Sequence, residues 1–309
     1  MVIKRVCLLI LILIFLIKIN VFAKNSEITY LESINEDEEG ERLYFPFYIF
    51  IDTVRKEIYV VDAKARIIIY TPDLFPIFTL SKAQGVETPQ GLTVDADGNL
   101  YVVQTPTREN PKYRISVFNA SLRWEKDIYL DNFKDADKFI PYNVAIDKKG
   151  NILVAGRYYP GVLIIDADGN ILDIISPVEE EKKVNVNYVT VDKNGNIYMV
   201  SEEEGRIYVY DENKKFILKF GTKGGSSGKL SRPQAVAKDS KNGNMYVVDY
   251  MRHTISAYDK DGKYLFEFGG LGWGEGWFQY PKCIAVDDIG RIFIVDTFNH
   301  RIQVFKLKE

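Results

Sequence analysis

One pattern is written six times along this chain. A short apolar run closes in Asp, a Gly/Asn turn follows, a second run resembles Ile-Tyr-Val-Val-Asp, and a third is often opened by Arg and closed by an aromatic residue. The second runs are 58–62, 100–104, 152–156, 197–201, 245–249 and 292–296. The Asp residues that close the first runs are Asp52, Asp95, Asp147, Asp192, Asp239 and Asp287, at intervals of 43 to 52 residues. Such a period accommodates one four-stranded sheet per repeat, because strands of about five or six residues plus turns fill roughly 40 to 50 positions. The runs are rich in Val, Ile, Tyr and Phe and too short for helices, so they read as strands. An all-β chain of six four-stranded antiparallel sheets is expected.

Within a repeat the strands can be named a to d. In the second repeat, strand a is Gly91 to Asp95, the turn is Ala96-Asp97-Gly98-Asn99, and strand b begins at Leu100. The Gly/Asn pairs of these turns supply the positive φ that tight hairpins require. Strand c runs Arg66 to Tyr70 in the first repeat and Arg301 to Phe305 in the sixth. The sixth repeat has no strand d, since the sequence ends at Glu309, while an orphan strand-like segment, Ile28 to Ile34, precedes the first repeat. The economical arrangement gives that N-terminal segment to the last sheet, closing the array into a ring without an unpaired edge.

The first 23 residues differ from the rest. Lys4 and Arg5 precede an apolar run from Val6 to Ile17, and Val21-Phe22-Ala23 places small residues where a signal peptidase reads. The run is shorter than the roughly 18 to 20 residues of a spanning helix. Residues 1–23 are therefore read as a secretory signal and 24–309 as one domain, exported to a periplasmic or extracellular location, with an uncleaved N-terminal anchor as the alternative. Cleavage would remove three of the 40 basic residues and none of the 43 acidic ones, taking the formal charge from −3 to about −6. That balance argues against nucleic acid as a partner, because phosphate backbones are held by clustered Lys and Arg. Cys283 would be the one remaining thiol, so no internal disulfide can form. No membrane insertion is expected after cleavage, and a monomer is expected.

The last repeat carries a family resemblance. The run Val295-Asp296-Thr297-Phe298-Asn299-His300-Arg301-Ile302-Gln303-Val304-Phe305, preceded by Pro281 and Ala285-Val286-Asp287, resembles an NHL repeat, named for the Asn-His pair it contains. The fifth repeat, from Pro233 to Tyr258, is similar with Arg252-His253 in that place, whereas the first four keep the strands and lose the dipeptide. The resemblance implies a six-bladed β-propeller of four-stranded antiparallel blades. It says little about chemistry, since this fold hosts binding modules and enzymes alike.

In a propeller the b–c and d–a connections share one face, and here those are the long, irregular ones. Arg108, Arg157, Tyr158, Tyr159, Tyr250, Arg252, His253, Phe298 and His300 lie on b–c loops, and Trp273 and Trp277 on the Gly-rich d–a loop before the sixth repeat. Aromatic and Arg side chains on loops are what binding surfaces use, so this face is expected to hold a protein or glycan ligand. Trp277, Phe278 and Tyr280 could instead fill space between blades. The openings of the a strands, with Gln90, Asn143, Asn187, Gln234 and Lys282, line the channel mouth in the alternative reading, a divalent-metal-dependent hydrolase or lyase of lactonase type.

No catalytic residue and no cofactor are assigned. The Asp-rich turns lack the ligand spacing of an EF-hand, and His253 and His300 with Cys283 make a poor catalytic zinc set, so no metal is expected. The run Gly224-Gly225-Ser226-Ser227-Gly228-Lys229 has no helix after it and is no phosphate loop. Asp62 with Arg66, and Asp296 with Arg301, are spaced to brace their loops.

Overall fold

The computed structural model describes residues 27–308 apart from 132, 134 and 135; the expected signal, 1–23, lies outside the described residues. Six four-stranded antiparallel sheets form the blades of a β-propeller. The first contains β2 (Tyr48–Asp52), β3 (Glu57–Asp62), β4 (Arg66–Tyr70) and β5 (Pro76–Leu80). Strands β6–β9 within 89–129, β10–β13 within 140–175, β16–β19 within 188–220 and β20–β23 within 233–269 make the second to fifth. A two-stranded hairpin, β14 (Val178–Glu179) and β15 (Lys182–Lys183), is added after the third blade.

The sixth blade has the order β1-β26-β25-β24, from Ile28–Ile34, Arg301–Leu307, Arg291–Asp296 and Pro281–Val286. Register runs from Ile28 opposite Leu307 to Ile34 opposite Ile302. Tyr30 packs edge-on to Phe305 at 5.7 Å between ring centroids. The segment that the sequence leaves as an orphan thus supplies the outer strand of the last sheet.

Burial follows strand position. Middle strands lie between neighbouring sheets, so both their faces are covered and their sequences are continuously apolar: Ile58 to Val61 and Ile67 to Tyr70 are all buried. Outer strands have a neighbour on one edge only and are less covered, which leaves Ile77, Phe78, Leu172 and Phe216 exposed. The Asp at the end of each first run closes its own hairpin. Asp95 Oδ1 accepts the N–H groups of Asp97 and Asn99 at 2.9 and 2.8 Å, while Oδ2 accepts Asn99 Nδ2 at 2.9 Å. Asp147 and Asp192 repeat this set. These carboxylates satisfy turn donors, which accounts for the Asp-rich turns without a cation.

Four residues before each of those Asp residues, the inner strands converge on the axis through Tyr48, Gly91, Asn143, Tyr188, Ala235 and Cys283. Tyr48, Asn143, Tyr188, Ala235 and Cys283 are all buried. The Tyr48 hydroxyl donates to Leu92 O at 3.1 Å and accepts from Asn143 Nδ2 at 2.9 Å, and Asn143 Oδ1 accepts from Val189 N at 2.6 Å. Four blades are joined by this chain of bonds. Gly91 makes room for it, because a Cβ there would lie 2.8 Å from Tyr142 O and 3.3 Å from the Tyr48 ring. The axis is filled at this level, so the channel above it is blind.

A chain beginning at Asn35 should be markedly less stable. It loses the pairing of β26 and the burial of Ile28 and Ile34, each worth roughly 1.5–3 kcal/mol. A fall in Tm of roughly 10 °C in a thermal melt is expected; an unchanged Tm would show that β1 adds nothing to the ring.

Candidate functional site

Above the filled level the channel widens into a cup of about 670 Å³ on the face of the long loops. Its wall is built from two sources. The inner strands contribute Tyr142, Asn187, Gln234 and Lys282, five residues before the Asp that closes each first run. The ends of the b strands and the b–c and d–a loops contribute Arg157 and Tyr158 at the end of β11 (Ile152–Arg157), Glu202 and Glu203 after β17 (Ile197–Ser201), and Lys223, Arg232 and Tyr250 around the fifth blade.

Glu202 is the best-tied group in the cup. Its carboxylate accepts Gln234 Nε2 at 2.8 Å and lies 3.5 Å from Arg232 Nε. Its backbone is held too, since its N–H donates to Asn187 Oδ1 at 2.8 Å and its carbonyl accepts Lys223 Nζ at 2.6 Å. Glu203 accepts Asn185 Nδ2 at 2.9 Å. On the neighbouring third blade, the Arg157 guanidinium lies over the Tyr142 ring, 4.3 Å from its centre. Lys282, on the sixth blade, is half-buried, and burial first, then the like charge of Arg157, hold its ammonium below the usual lysine range. Tyr250 stacks on Tyr280 at 4.9 Å, and Tyr158 stands 85% exposed on the rim.

The structure therefore brings together residues that the sequence suggests separately: Arg157, Tyr158 and Tyr250 from the loop set, and Asn187, Gln234 and Lys282 from the channel-mouth set. Asn143 lies one step deeper, in the filled level, and Tyr142 takes the mouth position; a shift of one residue along a strand exchanges its faces. Gln90 sits at the mouth register of the second blade, with its amide donating to Pro89 O at 3.0 Å. Arg108 is exposed on its own loop.

Other loop residues are turned to structural tasks. Arg252 forms a bidentate pair with Glu267 at 2.8 and 3.0 Å and donates to Gly225 O and Lys229 O, pinning the Gly-rich loop. His253 and His300 both adopt left-handed backbone, with φ of 57° and 56°. The Nδ1 of His253 accepts Tyr280 N at 3.0 Å, and that of His300 accepts Phe45 N at 3.1 Å, so each stitches its blade to the next. Tyr159 packs edge-on to Phe139. Trp277 lies over Gly270, while Phe278 is fully buried against Phe268 and Phe305. Trp273 and Phe298 remain substantially exposed, away from the cup.

The sequence reading misses Tyr142, Glu202, Glu203, Lys223 and Arg232. A cue exists for the first, which follows Pro141 as Gln90, Gln234 and Lys282 follow Pro89, Pro233 and Pro281. Glu202 follows Ser201, where the first, fifth and sixth repeats have Asp. Among the described residues, no three His, Cys, Asp or Glu side chains come together as a cation site. Burial pushes the Cys283 thiol up to about 11, so it stays protonated.

With this geometry in hand, comparison places the chain among known folds. Residues 278–305 match the NHL repeat, so the chain is a six-bladed propeller carrying an NHL repeat in its last blade. No curated protein matches the sequence. An auxiliary nutrient binding protein from Bacteroides ovatus is similar with a TM-score of 0.65 at 16% identity, over 91% of this chain and 76% of that one. A structural genomics protein of unknown function from Bacteroides thetaiotaomicron gives 0.67 at 14%, with the same coverage. Virginiamycin B lyase from Staphylococcus aureus gives 0.60 at 12%, over 91% of this chain and 99% of that one. Identities this low show a common fold.

The His253 stitch should make stability pH-dependent. Burial, opposed by the charges of Asp249 and Asp296, holds its value below the usual one, and Nδ1 must stay unprotonated to accept from Tyr280. The unfolded chain takes the proton first, so stability present above about pH 6.5 is lost as pH falls through the lower folded value. His253→Asn keeps an acceptor without titrating. Its Tm should decline less than that of the parent between about pH 7 and 5; identical slopes would mean that the stitch does not respond to protonation.

Proposed function

We propose that this protein is an exported, non-catalytic recognition module that holds a glycan or protein ligand in the cup on its long-loop face. The observation that carries this is the blind channel. A concave site of this size, with aromatic rings at its rim and a few fixed amides and charges in its wall, is how ligand sites are generally built. The Bacteroides ovatus protein of like fold is described as nutrient binding, which is consistent with this role. Glu202 and Glu203 are committed to internal donors, which also favours recognition over the metal-dependent hydrolase or lyase. Export rests on the apolar run and the Val21-Phe22-Ala23 site; no helix among the described residues is long and apolar enough to cross a membrane.

Two measurements test the proposal. Glycan-array and extracellular-protein screens of the chain from Lys24 should yield a ligand whose affinity falls about tenfold or more in Tyr158→Ala/Tyr250→Ala, equivalent to about 1.4 kcal/mol. Tm should be retained. Turnover of the ligand, or a ligand indifferent to both substitutions, would refute the reading. Mass spectrometry of protein recovered from its host should find a chain starting at or near Lys24, and an intact Met1 in the membrane fraction would overturn the cleavage.

A further inference from the structure

The charges of the cup are lopsided. Arg157, Lys223, Arg232 and Lys282 line it against two carboxylates, Glu202 and Glu203, although the chain as a whole is negative. They are also held differently. Arg232 lies beside Glu202, and Lys223 is bound to the Glu202 carbonyl, so both acids sit with their cations on one side. Arg157 on the third blade and Lys282 on the sixth, which face each other across the ring, are, among the described residues, not paired with a carboxylate.

We infer that Lys282 and Arg157 form an anion-binding pair facing each other in the cup, and that its ligand is a hydroxyl-rich carboxylate, an acidic sugar of the uronic acid class. This rests on the recognition reading above and narrows it to a ligand chemistry. Half-burying an ammonium in a cup that also holds an unpaired guanidinium costs free energy that an arriving anion relieves. The depressed value of Lys282 is the imprint of that frustration. The Arg157 guanidinium is held over the Tyr142 ring and has no carboxylate partner among the described residues, and a guanidinium suits two-point contact with a planar carboxylate. Glu202 and Glu203 suit the rest of such a ligand, because each takes its internal amide through one carboxylate oxygen and can accept a sugar hydroxyl through the other. They also disfavour a phosphate dianion, which would bring a second negative charge towards Glu202 and Glu203. Tyr158 and Tyr250 offer ring faces for the C–H side of a pyranose.

The test is calorimetry on the chain from Lys24 with oligoglucuronate, the matching neutral oligoglucoside and inorganic phosphate. Oligoglucuronate should bind at least tenfold more tightly than either comparator. Lys282→Met and, on a separate strand, Arg157→Gln should each reduce that binding about tenfold while Tm is kept. Equal binding of the neutral oligomer, unaffected by either substitution, would overturn the anion assignment while leaving the cup as a glycan site. Tighter binding of phosphate would overturn the carboxylate assignment. Failure of all three probes would overturn the uronate assignment, whereas the recognition reading stands or falls separately on the screens with Tyr158→Ala/Tyr250→Ala.

Discussion

A buried carboxylate at the end of the second strand organises the functional face. Asp62, Asp249 and Asp296 are fully buried, a position that costs several kcal/mol per charge unless donors surround it. Each is surrounded. Asp249 accepts the N–H groups of Ser231 and Arg232 from the loop that leads into its blade, and that of Arg252 from the turn beyond. Asp296 takes Gln279 N, Asn299 Nδ2, Arg301 Nε and Gln303 Nε2. Asp62 takes Tyr44 N and the Arg66 guanidinium, which is also paired with Asp37. Gln104 performs the same task in the second blade with an uncharged side chain, accepting from Glu87 N and Thr88 N. The loops of this face are therefore fixed from below by one repeated contact.

The cup opens chiefly where that contact is missing. The corresponding positions of the third and fourth repeats are Gly156 and Ser201, which cannot gather several donors around a charge. The residues that follow them, Arg157, Tyr158, Glu202 and Glu203, turn towards the cavity. Degeneracy of the repeat and construction of the site thus coincide. The least regular repeats of the sequence are those that carry its distinctive chemistry.

This explains what could be read in advance. Strand identity, the hairpin turns and the outer strand borrowed from Ile28–Ile34 were legible because they depend on local period and on the count of strands. The face carrying the long loops followed from connectivity. Side-chain direction on that face did not, because it is decided by partners far away in sequence. Arg252, His253 and His300 look like ligand groups as residue types, yet their partners are Glu267, Tyr280 and Phe45. The Asn-His-Arg signature is largely architectural, since Asn299 and Arg301 also hold the carbonyls of the Trp-bearing loop. Glu202 was illegible for the opposite reason: nothing beside it in the sequence shows that Gln234 and Arg232 will lie next to it.

The outer strand of the sixth blade also gives the molecule a polarity. β26 leaves the long-loop face at Arg301 and reaches the hairpin face at Leu307, and β1 runs against it, with Ile28 beside Leu307. Lys308 N meets Glu27 O at 2.8 Å, so both ends of the described chain emerge together beneath the ring. The described chain thus enters and leaves on the side opposite the cup. A tether at either end would hold the opening outward, like a bowl on a stem, and would leave the approach of a ligand unobstructed.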